Sequence, residues 1–498
     1  MTGTMLRDLW LCERRAHHDL HSPPAKRDPT SPFVEMLWAS GVRHEARILA
    51  ELPGAVADLR EVPRHLRAGA TQEAMAGRSD TILGATLASA DRIGMPDILL
   101  RGDVGWTAAD VKAGSPLQPD GRRPKVEYAV QVAHYADLLR TAGHGDGTTA
   151  IVIGADGERT TYDLGEAIDR AGRTPASLAG ELTDKARRMI GGDAETRGAL
   201  SAACGLCKWR TACTAELEAL DDLSLIAGLG RSLRDAIAPA ARTVLALADL
   251  DVGTLAARGE RTALKGVGRV RLERFQDRAR LLKTPGATPY ARRPLDLPRP
   301  RRELHLDLEA DPSIPLTYLH GILERQAGAE DRFVHFFADG PDGEREAFAA
   351  AMAHLTEDPS AVIYHYSAFE PVAYRALQRR HPSVCSPEDV EALFARGRAV
   401  DLLLHVVMPD TEWPTRNVSI KTLAKTLGFR WRDAEAGGAA SIAWFAEYQA
   451  SGDPAVRRRI VEYNHDDVVA SAVLLDGLRA LPVRGRPPWP PVTAPSSP

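Results

Sequence analysis

Residues 92–114 read RIGMPDILLRGDVGWTAADVKAG. Two apolar stretches flank Gly102-Asp103, which predicts a two-stranded hairpin with its turn there. Asp110 and Lys112 lie two apart on the second strand, so their side chains leave the same face. Asp97 opens the first strand and can reach that face across the hairpin. Upstream, residues 33–52 (FVEMLWASGVRHEARILAEL) carry apolar side chains at helical spacing and include His44. Downstream, EYAVQVAHYADLLRTAG (127–143) returns to the helical period and stops at Gly143, a glycine C-cap. Gln131 and Tyr135, four apart, share a face of that helix. TAIVIG (149–154) then reads as a strand. Helix, hairpin, helix and strand in this order make an α/β core. His44, Asp97 and Asp110 together offer a neutral imidazole and two carboxylates, a donor set for Mg²⁺ or Mn²⁺, which keep several waters when bound. Lys112 beside them can orient or deprotonate an attacking water and stabilise charge growing on a phosphate.

The motifs Gly41-x-x-His44, Gly94-x-x-Asp97, Asp110-Val111-Lys112 and Gln131-x-x-x-Tyr135 resemble, in order and spacing, the RecB-like branch of the PD-(D/E)XK nuclease superfamily. A lone D-x-K would say little, because a solvated surface pair produces it often; four ordered motifs say much more. The resemblance implies that His44, Asp97, Asp110 and the Val111 carbonyl bind the metal, that Lys112 is catalytic, and that Gln131 and Tyr135 support the site.

Five cysteines in 498 residues are too few for a disulfide scaffold. Cys204, Cys207 and Cys213 cluster in ACGLCKWRTAC, Cys12 stands far upstream, and Cys385 is isolated and reads as a buried apolar residue. Clustered thiols in a reduced compartment suit a soft metal. One distant cysteine followed by C-x2-C-x5-C, bracketing the nuclease motifs, resembles the iron–sulfur subgroup of these nucleases, which includes AddB-type and CRISPR-adaptation enzymes. That resemblance implies a [4Fe-4S] cluster on Cys12, Cys204, Cys207 and Cys213 with a structural role. Zn²⁺ is the alternative for four thiolates, although a 192-residue gap (204 − 12) is unlike a compact zinc finger.

Farther along, ELHLDLEA (303–310) alternates like a strand and puts Asp307 and Glu309 on one face. Glu370 follows the apolar strand AVIYHY, and VEYNHDDVVASAVLL (461–475) reads as a helix with Tyr463 and Asp467 four apart. Carboxylates converging on one sheet edge repel unless cations lie between them, the demand of a two-metal phosphodiester hydrolase. The D-x-E, later acidic residue and Y-x-x-x-D pattern resembles the DEDD exonucleases of the RNase H-like fold, closest to the YprB-like branch. Glu370 departs from the aspartate of that pattern. Asp466 competes with Asp467, which is chosen because it completes the tyrosine spacing. Asp401 reads as a helix N-cap or as an orienting group, and SIKTLAKTLGF (419–429) as a packing helix.

These elements predict an α/β multidomain chain: an iron–sulfur PD-(D/E)XK nuclease domain over 1–215, a helical region over 220–283, a Pro/Arg-rich linker over 284–302, an RNase H-like DEDD exonuclease domain over 303–482 and a disordered tail over 483–498. In the helical region, LIAGLGRSLRDAI (225–237) and LKGVGRVRLERF (264–275) resemble helix-hairpin-helix elements, with Arg231, Arg234, Arg269, Arg271 and Arg274 adding positive charge; glycine turns between packed helices are the other reading. A formal net charge of −4 from 63 basic and 67 acidic residues favours no partner globally, so nucleic acid must be held by local patches. No apolar run spans a bilayer and no secretory signal opens the chain, which predicts a cytoplasmic protein without a membrane partner. The combination resembles the bacterial RecB-like nucleases and implies a divalent-metal-dependent deoxyribonuclease acting on ends or single strands in DNA repair or related processing. No G-x-x-x-x-G-K-[ST] loop is present, so unwinding would need a separate helicase or motor protein. The alternatives are an RNA-processing nuclease and a non-catalytic nucleic-acid-binding scaffold retaining the folds.

Overall fold

The structure is a computed structural model, and it describes residues 1–118, 120–255, 261–311 and 314–485. The chain divides into two compact units, 1–198 with 202–215, and 199–201 with 216–498.

The first unit is built on β1 (Val56–Asp58), β2 (Thr81–Leu83), β3 (Leu87–Ser89), β4 (Arg92–Gly94), β5 (Ile98–Gly102), β6 (Gly105–Val111), β7 (Thr149–Ile153) and β8 (Arg159–Asp163). Six of these strands form one mixed sheet in the order β1-β2-β5-β6-β7-β8, and β3 and β4 pair separately. The hairpin β5–β6 turns at Asp103-Val104, one residue later than expected, because Gly102 and Gly105 still pair and Gly105 takes φ +125°, which a side chain would resist. Alternate residues of the strands face opposite ways. Ile82, Leu99 and Ala108 pack with Ala129, Val132, Ala133 and Ala136 of the helix Val126–Thr141. Leu83, Ile98, Ala109, Val111 and Ile153 pack instead with Ile48 and Leu49, at the end of the helix Pro32–Ala50. The helices Gly3–Leu11 and Pro175–Ile190 cover the outer side of Val126–Thr141 through Leu6, Leu9, Val130 and Leu178.

The second unit contains β9 (Tyr290–Ala291), β10 (Arg302–Asp311), β11 (Leu316–Gln326), β12 (Arg332–Phe337), β13 (Val362–His365), β14 (Ala399–Asp401) and β15 (Thr411–Glu412). Five strands form a sheet in the order β12-β11-β10-β13-β14; β11 is antiparallel to β10 and β12, while β13 runs parallel to β10 and β14. Leu304, Leu306 and Leu308 of β10 pack against the helices Glu344–Thr356 and Phe369–Arg380. The opposite face of the sheet lies under the 27-residue helix Pro454–Ala480, through Leu323, Val468 and Ala472.

The 220–283 region belongs to this second unit and has its own core around Leu223, Leu229, Ile237, Val267, Leu272 and Phe275. Both glycine turns take the same form. Gly228 and Gly266 adopt φ +78° and +74°, and Gly230 and Gly268 cap the helices Arg231–Ile237 and Arg269–Lys283. Two of the arginines expected to add surface charge are otherwise engaged: Arg234 is 3% exposed and pairs with Asp235, and Arg274 pairs with Glu412. The 284–302 segment departs from an extended linker, because Tyr290 and Ala291 are buried and pair as β9 with β15. Beyond Ala291, Arg292 bonds both Glu412 and Asp277. Of the expected disordered tail, residues 486–498 lie outside the described residues, whereas Val483 bridges to Ala291 and the Arg484 N–H donates to the Ala291 carbonyl.

Candidate active sites

In the first unit, Asp110 occupies the end of β6 and is 2% exposed. Lys112, just past the strand, forms an ion pair with it. Its ammonium also stands 5.6 Å from the centre of the Tyr128 ring. Asp97 Oδ2 accepts the Val111 N–H at 2.7 Å, which ties the carboxylate across the hairpin. Burial first, and then the Asp110 charge, push the Asp97 carboxyl well above the usual carboxylate range; the Val111 bond and Lys112 offset this only in part. Glu45 adds to the upward push, so a third carboxylate, from the helix Pro32–Ala50, acts on this site. The sequence reading passed over Glu45, next to His44 on that helix.

Tyr135 and Gln131 stand behind the carboxylates. The Gln131 amide donates to the Tyr135 hydroxyl at 2.9 Å, and burial, with the charges of Asp110 and Asp97, raises the Tyr135 phenol. Among the described residues, Gln131 Oε1 is buried without a hydrogen-bond partner. His44 is held differently. Its Nε2 lies 3.0 Å from the Gly154 carbonyl, which makes that nitrogen the N–H donor, and Nδ1 then accepts from Arg47 at 3.3 Å. Among the described residues, His44, Asp97 and Asp110 do not bring one ligand atom each within 4.8 Å of one another. The carboxylate pair and Lys112 converge; the imidazole stands aside.

In the second unit, Asp307, Glu309 and Asp467 each place a carboxylate oxygen within 4.8 Å of the others. β10 supplies the first two from one face and the helix Pro454–Ala480 the third. Burial first, and then the charges of Asp467, Glu309 and Glu370, push the Asp307 carboxyl well up; burial and the Asp467 charge push Glu309 up to about 8; burial, with a smaller push from Asp466, raises Asp467 against Lys421, Tyr463 and Trp431. Several neighbours hold the triad. Asn464 Nδ2 donates to Asp307 Oδ2 at 2.7 Å, and Trp431 Nε1 to Asp467 Oδ1 at 2.6 Å. Ser441 bonds Glu309 and stands 2.9 Å from the Tyr318 hydroxyl. A Cβ on Gly321, directly across from Asp307 in the β10–β11 ladder, would fall 1.5 Å from Asn464 Oδ1, so glycine alone leaves room for Asn464.

Tyr463 bonds Asp467 and accepts from Lys421 Nζ at 2.8 Å. Lys421 lies in the first turn of the helix Ile420–Thr426, read from sequence as a packing element, and its charge reaches Asp307, Glu309 and Asp467 alike. Asp466 is occupied elsewhere, bonding the backbone and side chain of Arg432 at 2.8 Å each. Glu370 is 2% exposed and its charge is felt by Asp307, yet Oε2 lies 3.4 Å from His365 Nδ1 and stays outside the triad. Asp401 caps the helical turn Leu402–Val407 through the N–H groups of Leu403 and Leu404, and also takes the Ser367 N–H.

Three thiols of the first unit, Cys12, Cys204 and Cys207, lie near one another. Cys12 sits between the helices Gly3–Leu11 and Glu13–His21. Burial raises the Cys207 thiol, and Cys204 and Cys12 lie near enough to act on it electrostatically. The Cys207 N–H donates to the Cys204 carbonyl at 3.3 Å. Cys213 Sγ lies within 4.8 Å of a ring nitrogen of His18, a possible donor the sequence did not single out. Cys385 is partly buried beside the core under β10.

Comparison with protein families matches residues 13–214 to the PD-(D/E)XK nuclease superfamily and residues 304–479 to the RNase_H superfamily. No curated protein matches the chain.

Proposed function

We propose that this chain, which carries a PD-(D/E)XK nuclease superfamily domain and an RNase H superfamily domain, hydrolyses phosphodiester bonds of nucleic acid at two centres, with DNA ends or single strands as the preferred substrate. The observation that carries the reading is the convergence of Asp307, Glu309 and Asp467 in a buried site, a carboxylate cluster whose repulsion bound divalent cations would relieve. Hard divalent ions fit this all-oxygen set. Bound Mg²⁺ or Mn²⁺ would neutralise charge on the phosphate and lower the pKa of an attacking water. In the second unit, Asn464 and Trp431 fix the carboxylates, and Tyr463, oriented by Lys421 and Asp467, presents its hydroxyl to a water or phosphate oxygen. In the first unit, Asp97, Asp110 and the Val111 carbonyl would hold the ion. Lys112 orients the attacking water and stabilises developing negative charge. His44 would be a further ligand, provided that its ring leaves the Gly154 carbonyl.

In the same reading Cys12, Cys204, Cys207 and Cys213 hold a [4Fe-4S] cluster that ties distant segments of the first unit together. The closeness of Cys12, Cys204 and Cys207 supports it. The proposed setting is nucleic-acid processing in the cytoplasm beside a separate motor protein. Among the described residues no helix is long and apolar enough to cross a membrane.

The test is a cleavage assay with Mg²⁺ or Mn²⁺ on end-labelled single- and double-stranded DNA and matched RNA. It compares wild type, Asp110→Ala, Asp307→Ala and the double variant. Each single change is expected to remove one activity, by about a thousandfold or more as metal-dependent chemistry is lost. Unchanged cleavage by the double variant would overturn the proposal, and a preference for RNA would redirect it.

A further inference from the structure

Beside each carboxylate site an aromatic ring holds two lysines. In the second unit Trp431 is fixed at its edge by the bond from Nε1 to Asp467, and Phe429 braces it with a ring centre 4.8 Å away at 83°. Lys421 and Lys425, one turn apart on the helix Ile420–Thr426, bring their ammoniums to 5.6 and 5.8 Å from the centre of the Trp431 ring. In the first unit the ring is Tyr128, which lies within reach of the Asp110 charge. Lys112 stands 5.6 Å from its centre and Lys125, the N-cap of the helix Val126–Thr141, 5.3 Å. Among the described residues these are the two rings that carry two cations. The other rings in such contacts carry one, an arginine in each case except Tyr463, which takes Lys421.

The inner lysine of each pair is engaged: Lys112 pairs with Asp110, and Lys421 donates to the Tyr463 hydroxyl. The outer ones differ. Among the described residues, Lys125 and Lys425 form no ion pair and no side-chain hydrogen bond. A ring face attracts an ammonium without neutralising it, so the charge stays available to an anion. The ammonium is a compact charge with three donors, which suits a phosphate oxygen. Two different sheets arrive at the same arrangement next to their carboxylates, which argues for a shared task rather than for local packing.

We propose that each ring holds its lysine pair as a clamp on neighbouring phosphates of one nucleic-acid strand. The inner lysine, Lys112 or Lys421, faces the phosphate under attack, and the outer lysine, Lys125 or Lys425, grips the next one along. The proposal rests on the reading of both sites as nuclease centres and names the form of substrate they take: a strand that continues past the scissile bond by at least one phosphate. Residues four apart on a helix stand about 5–6 Å apart. At about 3.4 Å per nucleotide, Lys421 and Lys425 therefore reach phosphates one or two nucleotides apart. Such a clamp touches the backbone alone and reads no sequence.

The experiment uses full-length protein with one site silenced at a time: Lys425→Gln in an Asp110→Ala background and Lys125→Gln in an Asp307→Ala background. Cleavage of a single-stranded oligonucleotide is followed with Mn²⁺, and its binding by anisotropy with Ca²⁺. Each outer-lysine change is expected to raise KM about tenfold and to lower kcat less, as one charged contact is lost. The slope of log affinity against log salt should become shallower by about 0.7, one phosphate contact on a single strand, and Lys→Arg at the same position should keep the slope. An uncharged methylphosphonate at the phosphate next to the cleaved bond should slow the parent protein and add nothing to the Gln variant. Unchanged KM and salt slope, or an equal methylphosphonate penalty in parent and variant, overturns the clamp. So does a lower melting temperature with an unchanged slope, which would make the lysines a support for the ring. A response at one site and not the other overturns the shared role. If Asp110→Ala and Asp307→Ala remove cleavage while the outer lysines leave the slope alone, the clamp falls and the nuclease reading stands. If both aspartate changes leave cleavage as in wild type while the outer lysines set the slope, the nuclease reading falls and the clamp stands.

Discussion

At the scale of single residues, the second site is a set of charges arranged at a cost. Asp307 faces Asp467, Glu309 and Glu370 inside the protein, with Lys421 as the compensating cation. Its raised pKa means that ionised Asp307 weakens the metal-free fold at neutral pH. Asp307→Asn is therefore expected to stabilise the metal-free protein by about 1 kcal/mol, and to abolish the rise in melting temperature that Mn²⁺ gives wild type; calorimetry with and without metal checks both. Gly321→Ala acts on the same site through sterics. The new methyl group displaces Asn464 and releases Asp307, and overpacking of this kind costs about 1–3 kcal/mol in urea unfolding together with weaker metal binding. Much of this site was legible. Asp307 and Glu309 follow from strand alternation, and Asp467 from its spacing to Tyr463. Lys421 was not legible, because a lysine in the first turn of a short helix looks like any solvated side chain until the fold brings it to Tyr463. Asn464 and Gly321 were hidden for a related reason: they depend on each other across 143 residues of chain (464 − 321).

Among elements, the helix Arg269–Lys283 is fastened to β9 and β15 by one buried carboxylate. Glu412 is 0% exposed and bonds Arg274, Arg278 and Arg292. Burial alone would raise this carboxyl, but Arg278, Arg274 and Arg292 outweigh it and hold it below its ordinary value. A depressed carboxylate contributes stability that is fully present above its unfolded pKa of about 4.3 and is lost as pH falls through the lower folded value. Glu412→Gln takes the shared counter-charge from three half-buried guanidiniums, of which Arg292 keeps Asp277. The expected loss is about 3–5 kcal/mol at pH 7, and the gap from wild type should narrow below pH 4 in denaturant titrations. The sequence could not show this fastening, because Pro- and Arg-rich composition argues for an extended segment and carries no sign of a two-residue strand partner. The hairpin of the first unit, by contrast, was readable to within one residue of its turn. His44 was readable in position but not in orientation, since the Gly154 carbonyl that holds it lies 110 residues away.

For the whole molecule, each compact unit owns its hydrophobic cores, Leu99 and Ile98 among the centres of one and Leu304 and Leu272 among those of the other. If the four cysteines hold a cluster, it closes a loop of nearly the whole first unit. Acting like a covalent cross-link, it would stabilise that unit by roughly 5 kcal/mol. Cys207→Ser is then expected to lose iron and the broad absorbance near roughly 400 nm. It should also lower one calorimetric transition while leaving the transition of residues 216–485 unmoved. A colourless, zinc-loaded wild type would refute the iron assignment.

The helix Arg210–Ala219 supplies Cys213 to the first unit and, one turn later, Leu217 to the core of the second. Anyone wishing to produce the halves separately therefore inherits an awkward choice of endpoint. A fragment stopping after Ala219 carries an orphaned leucine into water and invites aggregation, while its counterpart starting at Leu220 is left with an unfilled hole. A usable dissection must pair the cut with two compensating changes, a polar residue at 217 in the leading piece and a retained turn of helix ahead of the trailing one.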